Sequence, residues 1–367
     1  MPFDASLYTR AEAARAQTPQ GEGFRPERLL RWWRAPFWLF AVVTGAKSFA
    51  DNPVLGSRRL NAAGLHLWRL KAAHRLAAWR RARLGSAVSS YLKEQFDRDG
   101  FVTVPNVLAP DQFERVRAAI LEMDLDCRSH QQGDTVTTRM PLGPELLRRL
   151  PELDALIGSV PWKGLMAYVA STRAEPLYYV QAISGGALEG PPDPQLELHS
   201  DTFHPSLKAW LFLTDVPEDG RPLTYVAGSH RLTPERIAWE KRRSMEIANA
   251  DRLSQRGSLR VRPDELPALG LPQPTHFAVP ANTLVVADTC GFHARAPSDR
   301  PTLRIEIWAY SRRSPFLPWT GLDLLSWRPI AVRRAEWLGR TMDWLDRGGW
   351  MKQQWRSAGA WRDVVRG

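Results

Sequence analysis

Leu196-Glu197-Leu198-His199-Ser200-Asp201, followed after a short loop by Leu207 through Leu213, is the stretch on which the reading of this chain turns. It reads as a β-like run carrying two potential metal ligands. Residues two apart on a strand face the same side, so His199 and Asp201 can aim an imidazole and a carboxylate at one ion. A third ligand must come from elsewhere, and His293 follows the strand-like run Leu284–Ala287. Two histidines and one carboxylate on one face of an octahedron leave three positions open, the facial triad of non-haem Fe(II) oxygenases. A closed four-ligand site would hold a structural ion but could not bind two substrates at once.

Outward from this stretch, short β-like runs dominate from Leu177 onward: Leu177–Ile183, Leu207–Leu213, Leu223–Val226, His276–Val279, Leu284–Ala287 and Leu303–Tyr310. Pro, Gly, Asp and Ser punctuate them, which predicts an antiparallel barrel or sandwich. A charged helical insertion is expected over Ala238–Arg256. Upstream, Tyr91–Asp99 reads as a helix ended by Gly100, Phe101–Val104 as a strand, and Pro110 to about Met123 as another helix. Residues 1–24 are polar. Residues 25–85 read as a basic, Trp-rich helical segment with a turn at Asp51-Asn52-Pro53. Residues 86–314 form the main domain, and residues 315–367 a basic helical extension bearing Trp337, Trp344 and Trp355.

The 367 residues have ordinary globular composition, which excludes collagen-like or coiled-coil rods. Two cysteines, Cys127 and Cys290, cannot build a disulfide framework or a cysteine-rich zinc site, and they suit a reducing, cytoplasmic setting. No apolar run reaches about 18 residues; the longest, Ala35 to Ala46, is too short to span a bilayer. The net charge of +11 is uneven: residues 1–95 carry +10, residues 96–315 carry −3 and residues 316–367 carry +4. Twelve of the sixteen tryptophans lie in the two basic flanks. Arg with Trp suits an anionic membrane surface. It also suits single-stranded nucleic acid, the weaker alternative. The plain structural reading is arginine stems covering a helical scaffold. The basic residues of Ser57–Leu84 do not gather on one helix face, which weakens a simple amphipathic anchor.

After His293 come ten residues and then Arg304 on the final strand run, a spacing that 2-oxoglutarate oxygenases use. A guanidinium grips a carboxylate in a two-pronged fork. At this point the chain resembles the phytanoyl-CoA dioxygenase family of Fe(II)- and 2-oxoglutarate-dependent enzymes. Three segments carry the resemblance: Phe96 to Pro105 with Leu108 to Phe113; His199-Ser200-Asp201 through Val216 into Gly220 to His230; and His293 through Ser298 to Arg304.

The resemblance implies a mainly β fold, a double-stranded β-helix of the jelly-roll, cupin-like kind, with helical N- and C-terminal flanks. It implies Fe(II) held by His199, Asp201 and His293, with 2-oxoglutarate gripped by Arg304 and lined by Gln181 and Trp210. O2 is the oxidant, and ascorbate can serve as reductant. The loop between Asp201 and Trp210 is short, and Arg295 and Pro297 replace residues that are often small or amide-bearing in the family. Asp201 argues against a halogenase, in which a small residue leaves a position free for chloride.

The expected activity is hydroxylation of an unactivated C–H bond of an organic substrate. The leading substrate reading is a membrane lipid or lipid-linked group met at the inner face of a membrane. The alternatives are a soluble small-molecule or natural-product hydroxylase, and a non-catalytic cupin-like binding protein with nucleic-acid-binding flanks. His204 is expected to line the pocket edge, and His230 and Asn282 to serve turns. Cys290 reads as buried filler. Glu306 and Trp308 share strand parity with Arg304, and a lumenal Glu306 needs a partner. Arg139 reads as a solvated loop arginine or, less plainly, as an anion-binding group.

Overall fold

The computed structural model describes residues 33–186 and 188–366. The polar 1–24 segment lies outside the described residues, as does Trp32 of the 25–85 segment.

Eight strands form one antiparallel sheet in the order β1-β8-β5-β10-β4-β3-β2-β11. In chain order they are β1 (Phe101–Val104), β2 (Asp126–Gln132), β3 (Thr135–Pro141), β4 (Leu177–Gly185), β5 (Leu207–Phe212), β8 (Leu284–Asp288), β10 (Thr302–Ser311) and β11 (Arg356–Ala360). A small sheet orders β7 (Thr275–His276), β6 (Leu223–Tyr225) and β9 (His293–Arg295) as β7-β6-β9. The predicted runs at Leu177, Leu207, Leu223, Leu284 and Leu303 are all strands here.

Strand alternation splits the core in two. Leu207, Ala209 and Leu211 of β5, with Ile305, Ile307 and Ala309 of β10, pack behind the large sheet against the helices Pro110–Leu121 and Val160–Ala170. Trp210 and Phe212 of β5, with Trp308 of β10, face the other way and pack with Leu223 and Tyr225 of the small sheet. The inward faces of the two sheets therefore meet, as in a jelly roll.

Two expectations change. Leu196–His199 is not a regular strand. A 3-10 turn occupies Pro194–Leu196, and His199 joins the small sheet by isolated bridges to His293 and Arg260. The pairing is too short for a named strand, yet it fixes the extended backbone: His199 N–H donates to His293 O at 3.0 Å and His293 N–H to His199 O at 2.9 Å. The C-terminal flank is not wholly helical. Trp337 and Trp344 lie on the helix Arg334–Arg347, but Trp355 precedes β11, which pairs antiparallel with β2 and extends the large sheet.

Three arginines of the N-terminal flank turn inward, while Arg34, Arg58, Arg59, Arg75 and Arg83 are exposed. Gly64, at φ +103°, separates the helix Arg58–Ala62 from the helix Leu65–Leu84. From the latter, Arg69 donates to the carbonyls of Val42, Thr44 and Ala46, and Arg80 to those of Ser171, Pro315 and Leu317. Arg81 pairs with the buried Asp288 at 2.7 Å. No described helix is long and apolar enough to cross a membrane.

Candidate active site

His199 and His293 sit side by side on the small-sheet wall, their ring centres 4.5 Å apart. Asp201 follows in a bend pinned by its N–H donating to Thr289 O at 2.8 Å. One Asp201 oxygen lies 3.8 Å from His199 Nε2 and 3.7 Å from His293 Nε2. One ligand atom from each of the three residues falls within 4.8 Å of the others. The three residues are thus brought together by an isolated bridge and a bend, and not by strand parity.

Backbone carbonyls fix the tautomers. Nδ1 of His199 lies 2.7 Å from Glu197 O, and Nδ1 of His293 lies 3.0 Å from Gly291 O. A carbonyl only accepts, so each Nδ1 must carry the proton. Each Nε2 is then a bare lone pair, and both are buried without a hydrogen-bond partner. Buried polar atoms are seldom left so. Burial drives the His293 imidazole down to about 4 and the His199 imidazole well below its ordinary value. Burial works to raise the Asp201 carboxyl, but Lys208 and the two imidazoles overcome it and hold the group well below the usual carboxylate range. Lys208 Nζ lies 2.6 Å from Asp201 Oδ2. Two neutral imidazoles and one ionised carboxylate, with unpaired donor atoms facing one point, fit a divalent cation of the Fe(II) kind.

The triad opens into a cavity of about 300 Å³ between the two sheets. Gln181, Trp210 and Arg304 all line it, as the resemblance implies. Arg304 is not free. Its Nε donates to Glu306 at 2.8 Å and its Nη1 to Arg221 O at 2.7 Å. Gln181 donates to the other Glu306 oxygen at 2.7 Å and accepts from Arg139 Nε at 2.7 Å. Glu306, fully buried and off the cavity surface, therefore has two partners, and Arg139, Gln181, Glu306 and Arg304 form one polar chain across β3, β4 and β10. Arg139 is a strand residue facing the cavity, not a loop arginine.

Other candidates fall elsewhere. His204 is fully buried with Nδ1 against Pro205 O, outside the residues lining the cavity, so it does not form the pocket edge. The Phe203-His204-Pro205 turn draws its ring into the packing instead. His230 packs against Phe96, and Cys290 is buried and likewise off the cavity. Asn282 serves its turn at φ +62°, bonding Leu108 through both side-chain atoms. Arg295 reaches the cavity but pairs with the buried Asp193 at 2.6 Å.

Sequence reasoning missed Lys47, Lys208, His130 and Trp355 as wall residues. Only Lys208 had a visible signal, since it shares parity with Trp210 on β5.

Residues 96–267 match the family model described as Phytanoyl-CoA dioxygenase (PhyH). The chain carries a domain of the phytanoyl-CoA dioxygenase family. The matched span holds His199 and Asp201, while His293 and Arg304 lie beyond it. Fe(II) and 2-oxoglutarate are the cofactors of this family, whose members are dioxygenases, and the triad fits that metal.

Among solved structures, the non-haem α-ketoglutarate-dependent carbocyclase SnoK from nogalamycin biosynthesis is 19% identical, covering 60% of this chain and 83% of its own, with a TM-score of 0.40. The epimerase SnoN in complex with Fe3+, α-ketoglutarate and nogalamycin RO is 20% identical, covering 66% and 93%, with a TM-score of 0.39. HygX from Streptomyces hygroscopicus with nickel and 2-oxoglutarate bound is 15% identical, covering 60% and 86%, with a TM-score of 0.37. Overlaps of this size leave the assignment to the family match and to the triad. No curated protein matches the chain.

Proposed function

We propose that the chain hydroxylates an unactivated C–H bond of an organic substrate, using His199, Asp201 and His293 as the ligands of Fe(II). The observation that carries the reading is the convergence of the three ligand atoms within 4.8 Å on a cavity that Arg304 also lines. When bound, Fe(II) with 2-oxoglutarate and O2 supplies the oxidising power: the keto acid leaves as succinate and CO2, and one oxygen atom goes to the substrate.

The protein's part is positional. The carbonyls of Glu197 and Gly291 hold both imidazoles with Nε2 forward. Lys208 keeps the Asp201 carboxylate ionised and oriented. Arg304, oriented by Glu306, presents its remaining N–H groups to the distal carboxylate of the cosubstrate. Gln181 and Trp210 line the same pocket, where Trp210 and Leu223 exclude water. The test is succinate formation with Fe(II), 2-oxoglutarate and ascorbate, comparing the wild type with His199→Ala. Turnover that survives the substitution would reject the reading.

A second part of the proposal concerns place. Phe37, Leu39 and Phe40 are more than 60% exposed, as are Trp33, Trp327, Trp344 and Trp350. Bulky apolar groups in such numbers on the two basic flanks suit insertion among lipid headgroups. We read these residues as the docking surface for an anionic membrane, with a lipid or lipid-linked substrate. A soluble metabolite is the alternative substrate. A non-catalytic binding role is disfavoured by the intact triad.

A further inference from the structure

The cavity's charge does not balance. Six cations line it, against the single carboxylate of Asp201. Three of the six have carboxylate partners: Lys208 with Asp201, Arg295 with Asp193 and Arg304 with Glu306. Lys47, Arg139 and Arg312 have none among the described residues. Lys47 donates to the Asp201 carbonyl, Arg312 to the Gly45 carbonyl and to the Tyr310 side chain, and Arg139 to the Gln181 amide oxygen. Fe(II) would add two positive charges and 2-oxoglutarate two negative ones. These cancel, so three positive charges still face the space left for the organic substrate. Cationic side chains without carboxylate partners on a half-open polar wall favour an anionic ligand, most at the half-buried Arg139 and Lys47 and least at Arg312, which is exposed.

Arg139 is the best-built member of this excess. Its guanidinium lies 3.9 Å from the ring centre of Trp308 and 4.5 Å from that of Trp355. Two indoles hold the plane of the fork. Its Nε is committed to Gln181, while its terminal nitrogens have no acceptor among the described residues. Gln181 and Glu306 stand between Arg139 and Arg304, bonding to each in turn. A carboxylate gripped by Arg304 therefore leaves Arg139 free for a second anion.

Resting on the oxygenase reading, we propose that the organic substrate is an anion whose phosphate or carboxylate group is gripped by Arg139 against Trp308 and Trp355. Trp355, just ahead of β11, makes the C-terminal flank part of the substrate pocket. Lys47 and Arg312 add attraction from other elements of the wall. The substrate is oriented by its charged end, which presents a fixed carbon to the metal.

The experiment loads the full chain with Mn(II), redox-silent under these conditions, and 2-oxoglutarate. It then titrates inorganic phosphate, pyrophosphate and octanoate, read by tryptophan fluorescence and by calorimetry. Phosphate-type and carboxylate-type substrates are separated by which probe saturates. The wild type is expected to bind at least one probe saturably. Arg139→Gln should weaken that binding by about tenfold or more, and Arg139→Lys, which keeps charge but loses the fork, by less. Affinity for 2-oxoglutarate should stay within about twofold in both variants.

No saturable binding by the loaded wild type, or equal binding by Arg139→Gln, would overturn the proposal. So would loss of 2-oxoglutarate affinity in its place, which would make Arg139 a cosubstrate residue. If Arg139→Gln does not fold, Arg139→Lys decides on the same readouts. A wild type that takes up neither Mn(II) nor 2-oxoglutarate would instead reject the oxygenase reading, and titration of the metal-free protein would then decide Arg139 by the same comparison.

Discussion

The two basic, Trp-rich flanks look alike in sequence and behave differently in the fold. In the N-terminal flank, Arg69, Arg80 and Arg81 turn inward and tie backbone carbonyls and Asp288 to the barrel. In the C-terminal flank, Trp355 reaches the catalytic cavity, β11 joins the large sheet, and the indoles of Trp327, Trp344 and Trp350 stay exposed. Both flanks place one residue on the cavity, Lys47 and Trp355, and both leave bulky apolar groups exposed; what separates them is that the N-terminal flank also carries the buried arginine clamps, while the C-terminal one adds a strand to the large sheet. A charge count cannot separate these uses; only the count of acceptors each arginine finds can.

The largest expected effect is at a clamp. Arg69 is 2% exposed and donates to the carbonyls of Ala41, Val42, Thr44 and Ala46, in the segment that leads into Lys47. Arg69→Ala leaves those partly buried carbonyls without their donor, opens a cavity where the buried side chain packed, and should cost about 3 kcal/mol in urea unfolding. A loss below about 1 kcal/mol would mean the flank is held by something else.

Acid should strain the packing between the N-terminal flank and the barrel next. Burial pushes His204 and His230 down from 6.5 to about 3. The unfolded chain therefore binds more protons in that window, so their contribution is full above pH 6.5 and is lost as pH falls towards 3. Thermal melts between pH 7 and 4 should show Tm dropping steadily (measured without added metal), and a flat profile would contradict the assignment.

The smallest effect on stability, below about 0.5 kcal/mol, is expected for Trp344→Ser with Trp350→Ser, because both side chains are exposed. Flotation with anionic liposomes should nevertheless fall several-fold for this pair. Equal flotation, or none by the wild type, would remove the membrane part of the proposal.

What could be read from the residues follows from what each strand faces. β5, β8 and β10 bury one apolar face behind the sheet and were visible as strands. β2 reads Asp-Cys-Arg-Ser-His-Gln-Gln and β3 reads Thr-Val-Thr-Thr-Arg-Met-Pro. Their inward residues, His130, Gln132, Thr137 and Arg139, line a polar cavity, so the apolar alternation that marks a strand is missing. The triad and Arg304 were legible because metal and carboxylate chemistry restricts both residue type and spacing. Glu306 was legible as a problem needing a partner. Trp355 was not legible at all, since nothing local says that the chain returns to the sheet edge beside β2.

The central claim is that His199, Asp201 and His293 share one metal while Arg304 takes the cosubstrate. Anaerobic calorimetry with Fe(II), followed by 2-oxoglutarate, tests both halves on the full chain. One Fe(II) per chain is expected, with 2-oxoglutarate binding only after it. His293→Ala should abolish the first step, and Arg304→Gln should spare it while weakening the second by about tenfold or more. Undiminished Fe(II) binding by His293→Ala, or 2-oxoglutarate binding that ignores Arg304, would contradict the account.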